Sequence, residues 1–142
     1  MQGVLENKAI VLPILSWFLA QFIKFIIHLI QNQKIDFRKF VSSGGMPSSH
    51  SAISVCLATV LGIEYGFDSG VFAVATILAF IVMADAAGVR RAAGKQAEVL
   101  NKLIYSSKHI KVDQELKVLL GHTPVQVIFG AILGILVGIV FA

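Results

Sequence analysis

Four short segments of this 142-residue chain carry the residue types that do chemistry. Gln21, Lys24 and His28 are spaced by three and four, which puts them on one face of a helix. Gly44-Gly45-Met46-Pro47-Ser48-Ser49-His50 joins a two-glycine loop to a helix start. Asp85 is followed by Arg90 and Arg91, and Gly121-His122-Thr123-Pro124 opens a last apolar stretch. Together these groups suit phosphate. A Gly44-Gly45 loop at a helix N-terminus offers backbone N–H groups and the positive end of the helix dipole to an anion. Lys24, Arg90 and Arg91 are cations that neutralise a phosphate or its transition state. His50 and His122 are the candidates for nucleophile and general acid. There is no HExxH, no Cys/His cluster and no carboxylate pair, so a metal-dependent mechanism is disfavoured and no cofactor is expected.

The elements that position these residues are membrane helices. Hydrophobic residues make up 56% of the chain and charged residues 14%, against roughly 25% charged in an average soluble domain. Mean hydropathy is +0.82. These figures exclude disorder, a basic nucleic-acid-binding domain and a disulfide scaffold, the last because Cys56 is the single cysteine. A spanning helix needs about 20 mostly apolar residues. Stretches over about 9–30, 51–67, 70–87 and 124–142 meet or approach that length, in a single membrane domain over 1–142. The first is too long and lacks a small-residue cleavage site, so it reads as a retained helix and not a signal peptide.

Ten of the twelve Lys and Arg residues fall in two segments, 32–47 and 89–121. The turn near 64–69 holds only Glu64 and Asp68. With four spans both basic segments share one side, which the positive-inside rule makes cytoplasmic. Val89, Ala93, Ala97, Leu100 and Ile104 recur at helical spacing, predicting an amphipathic helix within 89–120 on the cytoplasmic surface. A second short helix is expected from Asp113, a good N-cap. In this arrangement all four polar segments meet at the cytoplasmic end of one bundle. Ionisable groups at membrane depth are expensive and mark function.

Three segments, GGMPSSHSA (44–52), ADAAGVRRAAGKQAEVLN (84–101) and LGHTPVQV (120–127), resemble the divergent PAP2 family, which is related to acid phosphatases and vanadium-dependent haloperoxidases. The resemblance runs from about Gln21 onward. It implies an all-α integral membrane protein with a PAP2-like bundle core of about four transmembrane helices plus the amphipathic helix. It also implies a phosphatase. In Pro47-Ser48-Ser49-His50, which matches a Pro-Ser-Gly-His motif except at Ser49, His50 would protonate the leaving group while Ser48, Ser49 and nearby amides hold phosphate. His122 would attack phosphorus. Gln126 stands where the family motif has an acidic residue, and Leu116 where it has an Arg, so Arg90 or Arg91 is expected to replace the latter. Typical PAP2 phosphatases also have a Lys followed seven residues on by Arg-Pro; Lys24 would stand for that Lys, but Gln31-Asn32 stands where the Arg-Pro belongs. Asp85 is a candidate for the missing carboxylate.

Plainer readings stand beside these. Ser48 or Ser49 is an N-cap, Thr123-Pro124-Val125-Gln126 is a capping box, Lys24 snorkels to the headgroups, and Arg90 and Arg91 anchor to anionic lipid. His109 is expected to be solvated, and Tyr65 to lie near the outer interface. Gly130, Gly134 and Gly138 form a stripe for close packing, within the chain or across a homodimer. The expected function is a metal-independent lipid phosphate phosphatase at the cell (inner) membrane, facing the cytoplasm, with phosphatidylglycerophosphate or phosphatidate as substrate and no nucleic-acid partner. The alternative is an anionic-lipid or small-anion binding or transport protein on the same core.

Overall fold

A computed structural model describes residues 3–32, 45–106, 116, 118 and 120–142. After a short 3-10 turn, Val4–Glu6, come α1 (Lys8–Asn32), α2 (Ser49–Tyr65), α3 (Gly70–Ala87), α4 (Val89–Ser106) and α5 (Pro124–Phe141). The boundaries have local causes. The Asn7 side chain accepts from Ala9 N at 3.0 Å as α1 starts. Ser48 caps α2, Ser69 caps α3 and Thr123 caps α5, each accepting a backbone N–H of its first turn. Gly66, at φ +94°, ends α2 in a conformation that favours glycine.

α2 lies at the centre, packed on α1, α3 and α5. Its composition makes this feasible: Ser49, Ser51, Ala52, Ser54, Ala58 and Gly62 are small and buried, so three neighbours approach its backbone closely. The glycine stripe of α5 faces it. A Cβ on Gly134 would lie 2.6 Å from the Ala52 carbonyl oxygen, and one on Gly130 would overlap that of Ser48. Gly138 packs on Thr59. The stripe therefore packs within the chain. Leu12, Cys56, Val60 and Val137 form the apolar core.

The large apolar side chains point the other way. Phe18, Phe22, Ile77, Phe80, Ile132 and Ile139 are exposed, whereas Ser16, Ser51 and Lys24 are buried. Small and polar inside with large and apolar outside is the packing of a protein whose solvent is lipid. Among the described residues three helical stretches are long and apolar enough to cross a membrane: Lys8–Asn32, Gly70–Ile104 (α3 running on into α4) and Pro124–Phe141. α2, with 17 residues, is not one of them. α4 begins where the amphipathic helix was expected, after Gly88. The expected helix at Asp113 lies outside the described residues, as do Lys34, Arg38, Lys39, Gly44 and His109.

Candidate functional site

The polar groups meet where α1 nears its C-terminal end, α2 and α5 begin, and α3 gives way to α4. Lys24 is 5% exposed. Its Nζ donates to Gln21 Oε1 at 2.9 Å and to Ser49 Oγ at 3.2 Å. Both acceptors are neutral, and among the described residues no carboxylate pairs with it. A buried cation without a counter-ion is costly, and a bound anion relieves that cost.

His122 is 2% exposed, and the local chain leaves it little freedom. Its backbone N–H donates to the Ala86 carbonyl at the end of α3, at 2.8 Å. Gly121 before it adopts φ +83° with its Cα against the Arg90–Arg91 backbone, where a Cβ would overlap. Thr123 and Gln126 form a full capping box. Gln126 Oε1 accepts from Thr123 N at 3.0 Å and lies 3.3 Å from His122 Nδ1. The backbone N–H can only donate, so the amide atom facing it is the oxygen. His122 Nδ1 is then the protonated nitrogen and Nε2 keeps its lone pair. Nε2 is buried and makes no hydrogen bond among the described residues. Burial first, then the positive charge of Lys24, hold the His122 pKa below the usual histidine range; Gln126 and the Gly45 backbone oppose this in part.

His50 sits in the first turn of α2 with its Nε2 3.3 Å from Arg90 Nη1. A guanidinium only donates, so Nε2 accepts and the proton of neutral His50 lies on Nδ1. Nδ1 is also buried and unpartnered. The two rings are 5.9 Å apart between centroids and tilted by 59°. One ring thus keeps an unused lone pair and the other an unused N–H, side by side at the N-termini of two helices.

The remaining expected residues divide. Arg90 joins the site, and its Nε donates to Asp85 Oδ2 at 2.6 Å. Asp85 therefore orients Arg90 and makes no bond to His122, so it does not replace the carboxylate that Gln126 lacks. Arg91 is exposed and lies against Gly121 through its backbone; of the two arginines, Arg90 is the one bonded to a histidine. Ser48 is the α2 cap: its Oγ accepts from Ser51 N at 3.4 Å and its N–H donates to the Gln126 carbonyl at 2.9 Å. That ties α2 to α5 and leaves Ser49 as the serine beside Lys24. Gly45, at φ +92°, passes over the Lys24 stem. His28 bonds Asn32 at 2.9 Å and stays out of the cluster. The spacing that put Gln21 and Lys24 on one helix face is realised as a direct bond between them.

Residues 5–137 match the divergent PAP2 family. The chain belongs to that family. The match contains every segment that builds the cluster. Across 98% of the chain and 96% of its own length, a Bacillus subtilis (strain 168) protein described as "Uncharacterized membrane protein YuiD" is 41% identical over 152 aligned positions. No solved structure matches the chain significantly. Divergent PAP2 membership gives the bundle a PAP2-like relation.

Proposed function

We propose that this divergent PAP2 protein is a metal-independent phosphatase of phosphomonoester lipids. The observation that carries the reading is the pair of histidines with complementary unused nitrogens next to a buried lysine that meets only neutral acceptors among the described residues. In this reading α1, α2, α3 and α5 all cross the membrane. α2 would be about 26 Å long at 1.5 Å per residue, close to the roughly 30 Å hydrocarbon core. Both basic segments then face the cytoplasm, the polar end opens to that side, and the acyl chains stay in the inner leaflet. Phosphatidylglycerophosphate and phosphatidate are the substrates this orientation favours.

The phosphate binds between Lys24, Ser49 and Arg90 at the N-terminus of α2. Reacting atoms lie roughly 3–3.5 Å apart before attack, so the phosphoryl group enters by parting the two rings. His122 Nε2 attacks phosphorus in line. The N–P bond forms as the P–O bond to the lipid alcohol breaks; His50 enters this step as the imidazolium, Arg90 having turned from its Nε2 to the phosphate, and gives its Nδ1 proton to the leaving oxygen to become the neutral ring. A water then attacks phosphorus, His50 takes its proton back, and orthophosphate leaves as the N–P bond breaks. Lys24 and Arg90 balance the charge on the phosphoryl oxygens. Gln126 holds the tautomer throughout but adds no charge to stabilise the phosphohistidine.

That neutral partner supports the second reading, an anion-binding or transport protein on the same core. Phosphate release from both lipids in mixed micelles containing EDTA separates the two. The phosphatase reading expects release by wild type that is lost in His50→Ala and His122→Ala. A folded protein that binds these lipids and releases no phosphate from either contradicts it.

A further inference from the structure

α4 carries three faces with three different surroundings. The first packs on the chain that leads to His122. Asn101 Oδ1 accepts from Leu116 N at 3.0 Å and Asn101 Nδ2 donates to the Leu116 carbonyl at 2.9 Å, a two-point clamp on one backbone unit. Gly94, two turns earlier, lies so close to the Val118 and Leu120 backbone that a Cβ would overlap it. The second face is apolar and exposed: Val89 at 69%, Val99 at 56% and Leu100 at 48%. The third carries Lys95 and Lys102, with Glu98 paired to Lys102 at 2.8 Å.

The occupant of the apolar face is set by what α4 continues. The helical stretch Gly70–Ile104 is one membrane-crossing candidate, its apolar part being α3 and its amphipathic part α4, so α4 emerges at the boundary of the bilayer. An apolar stripe flanked by lysines at that depth fits an anionic lipid surface. We propose that α4 docks on an anionic bilayer surface and that docking, passed through Asn101 and Gly94, holds the backbone at Leu116, Val118 and Leu120 and so the approach to His122. The docking stands without the phosphatase reading; only its consequence for turnover rests on that reading.

Hydrogen–deuterium exchange of the full chain tests this in nanodiscs of neutral phosphatidylcholine and of phosphatidylcholine with phosphatidylglycerol. The anionic lipid slows exchange several-fold in peptides covering α4 and in those covering 116–122. A cation near an anionic surface contributes roughly fivefold, so Lys95→Glu with Lys102→Glu removes the difference while α1 and α5 keep their protection. Asn101→Ala leaves α4 protected and releases 116–122. Equal exchange of α4 in both lipids overturns the docking. Slowed α4 with unchanged 116–122 in wild type overturns the coupling. Because exchange needs no turnover, slowed exchange with no phosphate release in any lipid sinks the phosphatase reading alone.

Discussion

At the residue scale, the two imidazoles differ in what already occupies them. Gln126 takes the Nδ1–H of His122 and Arg90 takes the Nε2 lone pair of His50, so a lone pair on one ring and an N–H on the other are left over. Their charge states follow from surroundings. Burial and Lys24 disfavour the His122 imidazolium, so Nε2 stays unprotonated to a lower pH than a free histidine, whose pKa is about 6.5. The acid limb of kcat/KM is therefore expected below that value. Gln126→Glu places a negative charge beside Nδ1, favours the imidazolium and moves the limb up by about one unit or more; a pH–rate series of the two proteins checks both. A wild-type limb above the free-histidine value contradicts the geometry. Charge-assisted hydrogen bonds contribute about 1.5–3 kcal/mol, so Arg90→Ala weakens phosphate binding roughly ten- to a hundredfold, and Arg91→Ala by less, measured by competition with vanadate. Sequence alone placed both arginines near the site. Which one turns inward depends on Gly121 packing against the backbone at Arg90 and Arg91, a contact across thirty residues that no local pattern records.

At the element scale, the helices are legible because apolar length and capping residues are local signals. Ser48, Ser69 and Thr123 start α2, α3 and α5 as their types predict. A helix overlaps the expected second stretch, 51–67, but starts two residues earlier, Ser49–Tyr65, because Ser48 caps and so draws His50 into the first turn. The capping-box and catalytic readings of Gln126 are both compatible with one rotamer, since its oxygen serves Thr123 N and His122 Nδ1 together. The glycine stripe was legible as a packing surface but not its partner, since spacing says how close a neighbour comes and not which neighbour. Gly134→Ala puts a methyl against α2 backbone with no side chain able to yield, and overpacking of this kind costs about 1–3 kcal/mol. Thermal unfolding in detergent, followed by circular dichroism, is expected to fall accordingly for Gly134→Ala and less for Gly138→Ala, whose neighbour is the Thr59 side chain. Equal stability of Gly134→Ala and wild type contradicts the α2–α5 contact.

At the scale of the whole molecule, the bundle inverts the soluble pattern, with serines and a lysine inside and phenylalanines and isoleucines outside. Composition made the membrane legible. It could not show that α2 is the buried centre, since α2 is less apolar than its neighbours and owes its place to small residues. The proposed orientation has a direct test. Cys56 is fully buried, so an introduced cysteine is read against a quiet background. Asp68→Cys is expected to react with an impermeant maleimide on intact cells, and Lys95→Cys only after permeabilisation. The reverse labelling contradicts a cytoplasmic site.

The central claim is that His122 is the nucleophile and His50 the proton carrier. With p-nitrophenyl phosphate the leaving group needs little protonation, so His50→Ala still allows attack by His122 but slows the water step that His50 would assist. Mass spectrometry after an alkaline quench is therefore expected to find one phosphoryl group on His122 of the His50→Ala protein, and none when His122 is also replaced by Ala. A folded His50→Ala protein that turns the ester over with no phosphohistidine, or that carries the phosphoryl group on another residue, contradicts the account.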